Sequence, residues 1–345
     1  MLISDAKDTA RRWVVEEAAV RPGFDGAYYA GSVNWLPDDA EFPATSDVDV
    51  MVVVSGADTP AKRGKFLYRG VVIEATYLSS DQLQSPEMIL GQYNMAGGFR
   101  TPSVIADPTG RLTELQEAVS RDFAKRRWVY KRCEHARDKV LVGLQSLNES
   151  GPFHDQVMTW VFPTGVTTHV LLTAGLNNPT VRRRYEAARE LLAEYGCTEL
   201  YEALLEVLGC ARMSPEHARE HLAALSQAFD AAAAVIKSPF PFAGDISAFA
   251  RSIAIDGSGE LIESGRQREA VFWLVATYSR CRQVFDADAP ELQERYNDGY
   301  RRLMADLGIQ SFADLARRKA SVEALIPRVW AAAEDIMAAN RGIEG

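Results

Sequence analysis

The sequence predicts an α+β fold on three observations. Strand-type apolar runs are confined to the first third of the chain. From Leu112 onward the apolar residues recur with the period of a helix and keep to it. Prolines and glycines then cut that second part into helix-length pieces. The change of period divides the chain into an N-terminal part, residues 1–115, and an all-helical part, residues 116–345.

Each element follows from local signals. Ser4 or Asp5 can cap a first helix that runs to about Val20, with Ala10, Trp13, Val14 and Ala18 at helical spacing. Ala27 to Ala30 make a short apolar run that ends at Gly31-Ser32. Asp47-Val48-Asp49 opens a second run, Val50 to Val54, followed by a turn at Ser55-Gly56-Ala57-Asp58. Lys65 to Tyr68 and Val71 to Tyr77 read as a hairpin about Arg69-Gly70. A helix falls within residues 80–95, and Ser103 to Ala106 is a last short strand. The helical part starts with a long helix over 124–147, whose seam is Val129, Cys133, Ala136, Val140, Leu144 and Leu147. Further helices are predicted over 155–175, 179–195, 198–208, 214–236, 262–285, 288–306 and 320–340.

Composition narrows the function. A hydrophobic share of 47% with 25% charged residues is that of a water-soluble globular protein. A net charge of −9 argues against broad binding of nucleic acid, which needs Lys and Arg against the phosphates. The N-terminus has no apolar signal core, and no stretch reaches the roughly 18 apolar residues of a membrane span. Cys133, Cys197, Cys210 and Cys281 fit neither a zinc pattern nor a disulfide framework, which points to free thiols in a reducing cytoplasm.

The chemistry gathers in residues 26–77. Strand alternation puts Asp47 and Asp49 on one face and Val48 on the other. Two adjacent carboxylates repel, and one takes a proton unless a cation lies between them. A hard divalent ion with oxygen ligands, such as Mg²⁺, suits the pair and brings substrate phosphates with it. Glu74 lies inside a strand between Ile73 and Ala75, where a carboxylate is costly to bury unless it is paired or faces metal or water.

The order Gly31-Ser32, then Ser46-Asp47-Val48-Asp49 before an apolar strand, then Glu74, resembles the DNA polymerase β-type nucleotidyltransferase superfamily. Among its branches the chain looks most like the antibiotic nucleotidyltransferases that adenylylate kanamycin or streptomycin. The stretch from Ser32 to Asp47 is longer than in that family. The resemblance implies a small mixed-sheet nucleotidyltransferase domain, a helical domain that closes over it, and a cleft between them. It implies Mg²⁺-dependent transfer of AMP from ATP to a hydroxyl of a small, aminoglycoside-like acceptor, with release of pyrophosphate. Asp47 and Asp49 would be catalytic metal ligands. Glu74 would complete the metal site or act as general base. Gly31 would let the backbone approach phosphate, and Ser32 would donate a hydrogen bond to it.

Other residues carry two readings each. Lys and Arg dominate residues 121–140, and Lys125 and Arg132 lie along one flank of the long helix. They make either a solvated face or a nucleotide-binding edge of the cleft. Glu134 and Asp138 are further candidates for the base. Arg100 either contacts phosphate or forms a salt bridge. His217 and His221 read as surface residues, and Trp128, Trp160 and Trp273 as core. Three other functions share the same residues. They are a modifier of protein or RNA, a toxin–antitoxin component, and a nucleotide-binding module without catalysis.

Overall fold

The structure, a computed structural model, describes residues 1–56, 60 and 62–345. The turn expected at Ala57-Asp58 lies outside the described residues. The architecture is α+β, a mixed five-stranded sheet followed by a largely helical region.

The strands are β1 Phe24–Ala30, β2 Val48–Val54, β3 Gly64–Tyr68, β4 Val71–Ser79 and β5 Val104–Ala106, in the order β3-β4-β2-β1-β5. β2 and β4 run parallel, and the other pairings are antiparallel. Arg69 (φ 49°) and Gly70 (φ 85°) close the β3–β4 hairpin. Two residues of positive φ match the right-handed twist of the flanking strands.

Alternation along β2 and β4 decides the faces. Val48, Val50 and Val52 of β2 are buried with Val71, Ile73 and Ala75 of β4. They pack on helix α1 (Ile3–Trp13) through Ile3, Ala6, Ala10 and Trp13. The opposite face holds Asp49 near its edge, and beyond it Tyr28 and Val53 pack against Leu112, Leu115 and Val119.

The helices that follow are α2 Pro86–Leu90, α3 Arg111–Asp122, α4 Arg126–Gln145, α5 Phe153–Ala174, α6 Arg184–Glu194, α7 Thr198–Leu208 and α8 Pro215–Val235. The last are α9 Gly257–Glu263, α10 Gln267–Asp288, α11 Gln293–Asp306 and α12 Phe312–Ala339. The apolar faces of α4 to α12 share one continuous core. No helix among the described residues is long and apolar enough to cross a membrane. The four cysteines are free, and Cys133, Cys210 and Cys281 are buried.

Several boundaries differ from expectation, among them the helix starts at Arg184, Gln293 and Phe312 in place of 179, 288 and 320. The first α-helix stops at Trp13, and residues 14–18 form a wider π-type turn. Its N-cap is Leu2, two to three residues before the expected Ser4 or Asp5, and the Asp5 carboxylate accepts the Leu2 N–H at 2.9 Å. The helix expected within 80–95 shrinks to α2 and a 3-10 turn over residues 80–83, because Ser79 and Ser85 each cap a new start. The helix expected over 262–285 is split between α9 and α10, with Gly265 at φ +75° between them.

Candidate functional site

Strand register assembles the site. Lys65 on β3 is level with Glu74 on β4, Glu74 is level with Asp49 on β2, and Asp49 is level with Ala30 on β1. Residues level on adjacent strands share a face. Lys65, Glu74 and Asp49 therefore form a row, and Asp47 stands two residues before Asp49 on the same side. Asp47, Asp49 and Glu74 bring one carboxylate oxygen each within 4.8 Å of one another.

Gly31 closes the row. It sits at φ +61° where β1 passes into a 3-10 turn over Gly31–Asn34. A β-carbon there would lie 2.7 Å from Asp49 Cγ, so only glycine leaves that carboxylate its place. The Asn34 amide donates to the Tyr29 carbonyl at 2.6 Å and holds the turn against β1. Ser32 is half-buried in this turn, beside Gly31.

The helical region adds a fourth acid. Asp245, in the segment between α8 and α9, reaches Lys65 Nζ at 2.7 Å and Arg280 Nη1 at 2.9 Å. Gly64 and Gly244 let the two backbones meet, since a β-carbon on Gly64 would come within 3.2 Å of Gly244 Cα. Lys65, with its side chain only 9% exposed, also pairs with Asp47 Oδ2 at 3.0 Å and with Glu74. Lys62 pairs with Glu74 from the other side. Thr45 adds a second link between the parts, donating to Glu260 at 3.1 Å.

Electrostatics separates the four acids. Burial raises Asp47 despite the neighbouring Lys65 ammonium. Burial, with Asp47 and Glu74 alongside, raises Asp49 well above the usual carboxylate range. Glu74 and Asp245 are also desolvated, but Lys65 and its basic neighbours hold both below that range. Burial opposes the charge on Lys65, and Asp47, Asp245 and Glu74 overcome it and push the ammonium up. Asp49 has no hydrogen bond or ion pair among the described residues, so it is the acid that most lacks a cation. Three hard oxygen donors with one uncompensated carboxylate and a glycine cradle fit Mg²⁺. No family model matches the chain, and no curated protein matches it.

Several expected residues are engaged elsewhere. Arg132 is 2% exposed and donates to the Leu90 carbonyl at 3.2 Å and the Phe123 carbonyl at 2.8 Å. It serves backbone acceptors where α4 meets the sheet part. Lys125 precedes α4 and pairs with Asp122 at 2.7 Å. Neither has a contact with the carboxylate row among the described residues. Glu134 is half-buried and Asp138 is exposed, and both face Arg137. Arg100 forms no salt bridge among the described residues, and its guanidinium stacks 4.5 Å over Trp35. His221 is buried and meets Asp306 at 2.8 Å, which corrects its reading as a surface residue, while His217 is exposed. Trp128 and Trp160 are core, but Trp273 is half-buried beneath guanidinium groups.

Lys65, Asp245 and Arg280 were missed. Lys65 carried one usable signal, its pairing with Glu74 across a readable hairpin. Asp245 and Arg280 carried none, because nothing local places a loop acid or a helix arginine over a sheet.

A cavity of about 970 Å³ lies between the start of α5, the end of α10 and α11. His154, Arg282, Asp286 and Tyr300 line it, and none of the carboxylate row does.

Proposed function

We propose that this protein is a Mg²⁺-dependent nucleotidyltransferase that moves a nucleoside monophosphate, AMP from ATP as first choice, to a hydroxyl of a small acceptor. The single observation that carries this reading is the convergence of Asp47, Asp49 and Glu74 on one sheet face beside Gly31. Asp47, Asp49 and Glu74 would hold the metal. Bound there, Mg²⁺ supplies neutralisation of the phosphate charge that a carboxylate-lined site cannot.

The chain's own residues supply the rest. Gly31 presents bare backbone to the phosphates, and the Ser32 hydroxyl donates to a phosphate oxygen. Glu74 takes the proton of the acceptor hydroxyl as that oxygen bonds to the α-phosphorus and the bond to pyrophosphate breaks. The pairing of Glu134 and Asp138 with Arg137 supports Glu74 over them as the base. Lys65 steadies the row by pairing with Asp47, Glu74 and Asp245 at once. An aminoglycoside-like acceptor belongs to this reading through the family resemblance and the acidity of the chain.

The test is pyrophosphate release with Mg²⁺ and each ribonucleoside triphosphate, against a panel of aminoglycosides and other hydroxylated amines. Acceptor-dependent release that Asp47→Asn/Asp49→Asn abolishes supports the reading, and release that survives the double substitution overturns it.

One observation favours a second reading, a nucleotide-binding module without turnover. Lys65 and Lys62 already compensate Asp47 and Glu74. Nucleotide binding that Mg²⁺ does not strengthen would favour that module over the enzyme.

A further inference from the structure

Arginine needs a partner when it is buried, because its charge cannot be shed at neutral pH. Arg184 is 8% exposed, yet its guanidinium has no hydrogen bond or ion pair among the described residues. Its Nε is buried without a partner. What it touches is aromatic, the Phe272 ring at 4.7 Å and the Trp273 ring at 5.1 Å. Arg182 lies over Trp273 at 4.3 Å, and its Nη2 is likewise buried and unpartnered. Arg280 spends Nη1 on Asp245, but its Nε is buried and free. Trp273 is fixed as the platform because its Nε1 donates to the Arg182 carbonyl at 2.8 Å.

Arg280 lies 5.4 Å from the centroid of Phe162, whose ring meets Phe272, the ring under Arg184, edge-on at 5.7 Å. Burial pushes Arg182 and Arg184 down to about 10, and each is pushed further by Arg280. Arg182 is in turn drawn by Asp245 and Asp47, and Arg280 pairs with Asp245, which pairs with Lys65 of the row, so the cluster lies beside the carboxylates. Three like charges held over aromatic rings, with Asp245 as the one paired acid and several N–H groups left idle, form an arrangement short of an anion. The planar guanidinium fork matches the oxygens of a phosphate.

We propose that Arg182, Arg184 and Arg280 form an anion pocket on the helical side of the carboxylate row, and that it takes a phosphate-type oxyanion of high charge. The pocket deepens the transferase reading and rests on it for the identity of its occupant. Two sources share this chemistry, the polyphosphate tail of the nucleotide and a phosphate group on the acceptor.

The experiment is calorimetric titration of the full-length protein with inorganic tripolyphosphate in the absence of divalent metal. Arg184→Gln and Arg182→Gln should each weaken binding at least tenfold. Thermal unfolding of the ligand-free variants should stay at or above wild type, since each removes an unpaired buried charge. Either variant suffices should the other fail to fold. Absence of tripolyphosphate binding to wild type, or equal affinity in wild type and both variants, overturns the pocket. Competition with ATP identifies the nucleotide's own tail as occupant, whereas simultaneous binding identifies an acidic group on the acceptor. Asp47→Asn/Asp49→Asn should keep the metal-free tripolyphosphate binding. Binding through the arginines without any pyrophosphate release would sink the transferase reading alone. Release without arginine-dependent binding would sink the pocket alone.

Discussion

The carboxylate of Asp49 occupies the space that a side chain on Gly31 would fill, with Asp49 Cγ 2.7 Å from the position of a β-carbon there. Asp49 lies on β2 and Gly31 directly follows the end of β1, where Ala30 is level with Asp49. The glycine and the acid are therefore one device rather than two motifs.

Gly31→Ala should disturb both the backbone and the acid. A residue with a β-carbon at φ +61° costs about 1–2 kcal/mol. The displaced Asp49 carboxylate should also lose its place in the row. Denaturant unfolding should show the stability loss, and titration with Mg²⁺ and ATP should show weaker metal-dependent binding. Unchanged Mg²⁺ dependence in this variant would separate Gly31 from the site.

Asp49 should set a pH dependence of the metal-free protein. Its folded value is raised well above the ordinary 3.8 by burial, then by Asp47 and Glu74. The folded chain thus holds this proton more tightly than the unfolded chain. The stabilisation is fully present below about 3.8 and is lost as the pH rises through the raised folded value. The stability of wild type relative to Asp49→Asn should therefore fall with rising pH, and Mg²⁺ should restore it. Parallel pH curves for the two proteins would show that Asp49 is not the strained member of the row.

Lys65→Met should expose how far one ammonium holds the two parts together. It removes at once a partner of Asp47, of Glu74 and of Asp245, leaving Lys62 on Glu74 and Arg280 on Asp245. Breaking a buried ion pair from one side costs about 3–5 kcal/mol. The loss should shrink at acidic pH, where the carboxylates accept protons, and in millimolar Mg²⁺. Thermal unfolding with and without Mg²⁺ measures it, and a loss that Mg²⁺ leaves untouched counts against a metal in this row.

His169 should contribute a second pH dependence, of opposite sign. It is 4% exposed, and both its ring nitrogens are buried without partners. Burial, then the charge of Arg184, pushes it well below 6.5. The neutral ring is favoured in the fold, so stability is full above about 6.5 and is lost as the pH falls below it. The slope should reach at most about 1.4 kcal/mol per pH unit. His169→Leu should flatten it in denaturant unfolding at pH 5 to 7, and an unchanged slope would assign it to another group.

Much of the carboxylate row was legible because strand alternation is a local property. Val48 and Ile73 are buried beside Asp49 and Glu74, as the period of two requires. The Arg69-Gly70 hairpin was legible for the same reason, and it carries Lys65 level with Glu74. The basic stretch of α4 was legible only as composition. Helical spacing places Arg132 next to the apolar seam but says nothing of the Leu90 and Phe123 carbonyls that claim it.

By itself the sequence determined the α+β order of the chain and the common face of Asp47 and Asp49, because both depend on periods of two and of three to four residues. Only the tertiary structure decided what meets that face. Asp245 reaches Lys65 from 180 positions away. Arg182 and Arg184 lie over Trp273, while Arg280 of α10 lies over Phe162 and Phe242 and reaches Asp245. Such meetings depend on how helices pack over a sheet. Packing brings charges together through burial and shape, and neither leaves a periodic trace in the sequence around each residue.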